Sequence, residues 1–145
     1  IIFSKGCEYA IRAMIYIVTK TSDGTKVGIK DIAKQTDTPE PFVAKVLQTL
    51  SRKQIVASIK GPNGGFYIEP KSKHIPLIDI VKAIDGDDLF LSCGLGIKNC
   101  SEKRPCPIHY EYKEIRDQIK EMLKTNTIQE LAAGLVSGDT FLVKR

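Results

Sequence analysis

The run Lys60-Gly61-Pro62-Asn63-Gly64-Gly65 constrains this chain more than any other. It lies between two β-favouring segments, Ile55-Val56-Ala57-Ser58-Ile59 and Phe66-Tyr67-Ile68, and its Asn-Gly step supports a reversal, so together they predict a β-hairpin. Upstream of the hairpin the apolar period is that of helices. Cys7, Ile11, Met14, Ile15 and Val18 share one face of a helix that Ser4 can cap and that ends before Ser22-Asp23-Gly24. Ile29, Ile32 and Ala33 mark a shorter helix that stops in Gln35-Thr36-Asp37-Thr38. Val43, Val46, Leu47 and Leu50 mark a third, running to about Lys53, with Thr38 as N-cap and Pro39 in the first helical position. Three helices followed by a hairpin predict a winged helix-turn-helix.

Downstream, Leu77, Ile80, Val81 and Ile84 share a face of a fourth helix that Gly86 stops. Residues 87–107 then lose all periodicity. They hold Gly94, Gly96, Pro105, Pro107 and three of the four cysteines, which reads as an irregular loop that something must hold in place. A long helix from about Ile108 to Lys124 follows, with Glu111 and Glu114 early and Lys120 and Lys124 late, as the helix dipole favours. Its seam of Tyr112, Ile115, Ile119 and Met122 resembles two short heptads and suits either the core or a second copy of the chain. Thr127-Ile128-Gln129-Glu130 is a capping box that opens a last helix, with Ile128, Leu131, Ala132 and Leu135 inward and Gly138 as its stop. The tail Phe141-Leu142-Val143 either docks or frays. The expected fold is mainly α with a small β-hairpin wing. Residues 1–86 form the winged helix-turn-helix, 87–107 a cysteine-rich loop, and 108–145 a long dimerisation helix with a C-terminal helix.

With 42% hydrophobic and 27% charged residues, the chain has the make-up of a globular protein. No apolar run approaches the roughly 18 residues of a membrane span, and no basic segment followed by an apolar one opens the chain, so a cytoplasmic protein with no membrane partner is expected. The net charge of +5 is uneven: residues 1–75 hold 12 Lys and Arg against 6 Asp and Glu, whereas residues 76–145 hold 10 against 11. The basic half is the candidate for binding a polyanion.

In the third helix Pro41, Lys45, Gln48, Thr49 and Arg52 recur at i, i+4, i+7, i+8 and i+11, opposite the apolar stripe, and no acid follows Glu40. Such a face suits base edges and phosphates of a major groove. Lys60, Asn63 and Gly64 put a slim, basic hairpin tip beside it, shaped for a minor groove or its phosphates. The candidate DNA-binding residues are therefore Lys45, Gln48, Thr49, Arg52, Lys60, Asn63 and Gly64, and the partner is double-stranded DNA. The hairpin loop lacks the Gly-Lys-Ser/Thr ending of a phosphate-binding loop, and the chain has two histidines and no C-x-x-C pair, which argues against an enzyme.

Cys93, Cys100 and Cys106 are spaced C-x6-C-x5-C, and His109 follows as C-x2-H, so four metal-capable side chains lie within 17 residues. Gly94, Gly96, Lys98, Asn99, Lys103, Arg104 and Pro105 surround them, which is no setting for core cysteines. Ligation of an iron–sulfur cluster, ligation of zinc, and a thiol switch remain, the irregular spacing favouring the cluster over zinc knuckles. Lys98, Lys103 and Arg104 are expected to lower the thiol pKa values. Cys7, in register with Ile11, Met14 and Val18, reads as core, and His74 as a surface residue.

The stretch Ser4-Lys5-Gly6-Cys7-Glu8-Tyr9-Ala10, the run Leu50-Ser51-Arg52-Lys53 leading into Ser58 to Phe66, and the three-cysteine loop resemble the bacterial IscR/NsrR-type transcription regulators. The likeness covers about 135 residues. It implies a homodimer in which helix 108–124 crosses its partner, binding to a palindromic operator, and an iron–sulfur cluster carried by Cys93, Cys100 and Cys106. The Cys106-Pro107-Ile108-His109 ending resembles the IscR branch, whose histidine completes a [2Fe–2S] site, so [2Fe–2S] is expected over [4Fe–4S]. The NsrR branch instead takes an acid from the partner's first helix, and Glu8 stands at that position, where a helical ion pair with Arg12 is its ordinary role. The C-x6-C gap is one residue longer than the IscR-branch pattern. The functional expectation is a dimeric regulator that senses redox state, iron–sulfur status or nitric oxide; the alternative is a zinc- or thiol-based regulator of the same architecture.

Overall fold

The computed structural model describes residues 2–21, 24–69 and 71–142. The first helix, α1 (Lys5–Thr21), begins where expected: the Ser4 hydroxyl accepts from the Cys7 N–H at 3.0 Å and donates to the Asp85 carboxylate. Its other end meets Ser22 and Asp23, which lie outside the described residues. Cys7, Ala10, Ala13, Met14 and Ile17 are fully buried, so α1 is covered along its length. Around it pack α2 (Ile29–Gln35), α3 (Glu40–Arg52), α4 (Leu77–Asp85) and α7 (Ile128–Ser137).

The turn between α2 and α3 reverses at Asp37, whose φ of 52° is left-handed. Here the expected cap is displaced. Pro39, not Thr38, is the N-cap of α3, and Pro41 sits in its first turn. Thr38 is buried and donates to the Thr36 carbonyl at 3.1 Å, so the turn itself takes its hydroxyl.

Strands β1 (Ala57–Ile59) and β2 (Gly65–Tyr67) pair antiparallel, with Ile59 opposite Gly65. The Gly64 N–H reaches the Gly61 carbonyl at 3.0 Å, which places Pro62 and Asn63 at the corners instead of Asn63 and Gly64. Proline's fixed φ favours the second position of such a turn. Gly64 is still required, because a Cβ there would stand 1.9 Å from the Ile59 carbonyl oxygen. Val27, isolated between Lys26 and Gly28, adds a third rung by exchanging both backbone bonds with Phe66 at 2.9 and 2.8 Å.

A one-turn helix, α5 (Asp88–Leu91), interrupts the expected loop and buries Phe90. Helix α6 (His109–Thr125) contributes one fully buried residue, Leu123, which is not part of the predicted seam. The seam divides: Ile115 is 56% exposed and Met122 45%, whereas Ile119 packs against the core and Tyr112 lies against Gly94 of the loop, so only Ile115 and Met122 point outward. Helix α7 is capped as expected, Thr127 accepting from the Glu130 N–H at 3.2 Å, and Gly138 ends it with φ 86°. The Leu77 N–H meets the Asn126 carbonyl at 2.9 Å and the Ile128 N–H meets that of Ile75 at 2.8 Å, tying the starts of α4 and α7 together. In the tail, Leu142 packs against the core, Phe141 is exposed, and Val143 lies outside the described residues.

Because Leu123 is fully buried, Leu123→Ala should destabilise the protein by roughly 2–5 kcal/mol in urea unfolding. Val136→Ala, on a residue 73% exposed in α7, should stay within about 0.5 kcal/mol. Equal effects of the two would misplace the core.

Candidate nucleic-acid interface and metal site

Amphipathic α3 turns its apolar stripe of Val43, Val46, Leu47 and Leu50 inward and leaves Lys45, Gln48 and Arg52 exposed. The hairpin folds back beside it. Gln48, Arg52 and Lys60 converge on one concavity of about 500 Å³, shared with Ser51, Ser58 and Phe66. Lys45 and Thr49 instead border a second cleft, about 440 Å³, with Lys5, Tyr9 and Phe42. Thr49 is half-buried; its hydroxyl donates to the Lys45 carbonyl at 3.2 Å and accepts from Arg52 at 3.4 Å, so it holds Arg52 along the helix. Asn63 is exposed at the hairpin tip, whereas Gly64 is half-buried with its backbone pressed on Ile59. Lys30, which the sequence pattern did not single out, borders a third concavity with Pro41, Ala44 and Gly61. Phe42 was also missed; an aromatic residue outside the apolar stripe of α3 was its only signal.

The sulfurs of Cys93, Cys100 and Cys106 all lie within 4.8 Å of one another. Cys93 and Cys106 are 3.5 Å apart, and Cys100 lies 3.3 Å from Nδ1 of His109, whose Nε2 is buried with no partner among the described residues. The histidine therefore joins the group through Cys100, at its edge. Backbone N–H groups also meet the sulfurs, Leu95 to Cys93 and Cys106 to Cys100, each at 3.4 Å. Three thiols and one imidazole, gathered at this range with N–H groups turned to sulfur, suit a thiophilic metal or cluster.

N–H groups of Ile97 and then Leu95, aided by the neighbouring thiols, lower Cys93 from the usual 9.0 to about 7. The expected source, Lys98, Lys103 and Arg104, does not contribute; all three are exposed, where water screens them. Cys106 is raised, chiefly by burial. Cys7, the core cysteine, is pushed up to about 12 by burial and by Asp85.

Protein contacts hold the loop to α6. Arg116 donates to the Ser92 carbonyl at 2.8 Å, Tyr110 donates to that of Glu102 at 3.3 Å, and Lys113 pairs with Glu102 at 3.9 Å. Gly94 lies against Tyr112 so closely that a Cβ would meet its ring at 2.8 Å. Glu8 pairs with Lys5 at 3.6 Å and not with Arg12, which instead covers the Tyr9 ring at 5.3 Å. Glu8 is not among the residues grouped with the three sulfurs within this chain.

A family model, Rrf2, described as an iron-dependent transcriptional regulator, matches residues 3–134. A protein of Aquifex aeolicus described as an HTH-type transcriptional regulator is 35% identical over 132 residues, 90% of each chain. The HTH-type transcriptional regulator IscR of Pectobacterium atrosepticum is 26% identical over 128 residues, 88% of this chain and 76% of its own. Among solved structures, CymR, the global cysteine regulator of B. subtilis, superposes with a TM-score of 0.71 at 24% identity, covering 90% of this chain and 95% of that one. IscR of T. potens does so with a TM-score of 0.68 at 19% identity, covering 94% and 90%. At these identities the two structures establish a shared fold.

The thiol environments set an order of reactivity. In metal-free protein at pH 7.5, Cys93 should be alkylated by iodoacetamide first, and Cys7 only on unfolding. Because the Cys93 pKa is lowered to about 7, its rate should fall as the pH drops through 7 and the thiolate is protonated. Mass mapping that finds Cys7 modified as fast as Cys93 would contradict these environments.

Proposed function

The chain belongs to the Rrf2 family of transcriptional regulators, and from that premise we propose that it acts as a homodimer on palindromic double-stranded DNA, sensing redox state, iron–sulfur supply or nitric oxide through an iron–sulfur cluster held by Cys93, Cys100 and Cys106. The observation that carries this reading is the convergence of those three thiols on a loop seated against α6. The nearby His109 favours a [2Fe–2S] cluster over [4Fe–4S] by offering a nitrogen as fourth donor, with Glu8 of a second copy as the less favoured choice. When bound, such a cluster supplies chemistry toward electrons, oxygen and nitric oxide.

The chain's own residues carry the rest. Ser92 and Gly94 rest on Arg116 and Tyr112, and Tyr112 begins the seam of Ile115, Ile119 and Met122, of which Ile115 and Met122 are exposed, so the loop and the proposed dimer surface share one helix. Ligation draws the cysteines to fixed positions and biases α6, and with it the spacing of two α3 helices on the operator. Lys45, Gln48, Thr49, Arg52, Lys60, Asn63 and Gly64 make up the DNA surface. Zinc in the same architecture is the second reading: metal–sulfur bonds of about 2.3 Å put two sulfurs on one tetrahedral ion about 3.8 Å apart, close to the 3.5 Å between Cys93 and Cys106, a spacing that zinc and a cluster iron accommodate alike.

Anaerobic reconstitution with iron and sulfide should give a visible absorption band that Cys100→Ala abolishes, and metal analysis separates iron from zinc. Loaded and metal-free protein should differ about 5–150-fold in operator affinity at equal salt. Equal affinities overturn the sensing role. Lys45→Ala and Lys60→Ala should each weaken duplex binding and reduce the salt slope by about one; no change in either variant misplaces the surface. Ile119→Asp should dissociate the dimer and abolish tight operator binding, and a wild-type protein that is monomeric at micromolar concentration overturns the dimer.

A further inference from the structure

Phe42 stands in the first turn of α3 and is 50% exposed, although the apolar stripe of that helix is otherwise fully inward. With Lys45, Thr49 and Arg52 it forms a row at i, i+3, i+7 and i+10, so an apolar ring heads a line of one hydroxyl and two cations. Its ring is not loose. It lies 5.5 Å from that of Tyr9 at 35°, and Tyr9 is covered on its own account by Arg12. The cleft that Phe42 borders is lined by Lys5, in its pair with Glu8, by Asp85, which accepts from Ser4, and by Lys45, which stands exposed next to the ring as the cation it offers a polyanion.

We infer that Phe42 reads the 5-methyl group of a thymine in each half of the operator, which makes it a specificity-determining residue. The inference rests on the reading of α3 as the groove-facing helix. Residues at the N-terminal end of a recognition helix meet base edges, and the thymine methyl is the one apolar feature of the major-groove pattern. A phenyl ring can neither donate nor accept as the neighbouring Lys45 and Gln48 do, so it takes the methyl. Held against Tyr9, it loses little rotamer freedom on binding.

The test removes the methyl alone. Duplexes are first selected from a random pool with the protein in its metal-free and in its reconstituted form, and the form that enriches them is used throughout. Each thymine of the selected half-site is then replaced by uracil, and dissociation constants are measured at one salt concentration for wild type and Phe42→Ala. One position per half-site should respond. Uracil there should weaken wild-type binding about fourfold, the worth of one buried methyl, and leave Phe42→Ala unchanged. Half exposure predicts that Phe42→Ala folds; should it not, Phe42→Leu gives the same comparison with a smaller uracil effect. The inference is overturned if no thymine responds in the wild type, or if the variant responds as strongly. A selection that enriches no duplex overturns the DNA-surface reading itself, and the inference with it.

Discussion

The burial of α1 is the constraint on which the rest of the fold depends. A helix packed on by α2, α3, α4 and α7 needs a broad face of small or apolar side chains, and Cys7, Ala10, Ala13, Met14 and Ile17 share such a face with no accessible surface. Alanines at 10 and 13 let neighbouring helices approach closely, and Met14 and Ile17 fill the space between them. The start of α1 takes its polar partners from Ser4 and Asp85, which join the first turn to the end of α4, and at its other end the Thr21 hydroxyl accepts from the Ile68 N–H at 3.3 Å. The orientation of α3, and so of its basic face, follows from its packing against this axis. Lys53, just past the end of α3, adds a tether to the last turn of α4 by donating to the Ala83 carbonyl at 2.8 Å.

A second dependence runs through α6. Alone among the long helices it gives the core little, since Leu123 is its one fully buried residue and Ile119 a partly buried one, while Ile115 and Met122 point outward. What keeps α6 in place is Leu123 at its C-terminal end, the packing of α4 and α5 along it, and the loop that wraps its first turns. Phe90 of α5 sits with Lys82 of α4 and Lys120 of α6 over its ring at 6.0 and 5.9 Å, linking the three helices. Such a helix has two positions of leverage, the cysteine loop at one end and the wing core at the other. In the proposed regulator, a change at the sulfurs would act on α6 through the loop contacts at its first turns.

Much of this was legible along the chain because it is set locally. The caps at Ser4 and Thr127, the stop at Gly138, the periodic faces of α1, α3 and α7, and the hairpin after α3 all arise from residues within a few positions of one another. The same holds for the cysteine spacing, which can be read without knowing the fold. Where local signals competed, the outcome was less legible. Pro62 outweighed the Asn63-Gly64 step in setting the turn, and the Thr36–Thr38 pair took the hydroxyl that was to cap α3. Val27 carried no pattern at all, because a single residue pairing with Phe66 across a long sequence gap leaves no period to detect.

Sequence by itself determined the element order, the basic first half and the presence of three cysteines on one irregular loop with a histidine just after it. Tertiary structure alone decided which of them meet. It brought the three sulfurs together with His109 at the edge, and it assigned the lowered Cys93 thiol to the N–H groups of Ile97 and Leu95 instead of nearby cations. It also turned Ile115 and Met122 of α6 outward while packing Ile119 on the core, and left Phe42 half-exposed beside Tyr9. The reason is physical: periodicity and capping act within one turn of the chain, whereas burial and the aim of an N–H group depend on what distant segments bring alongside.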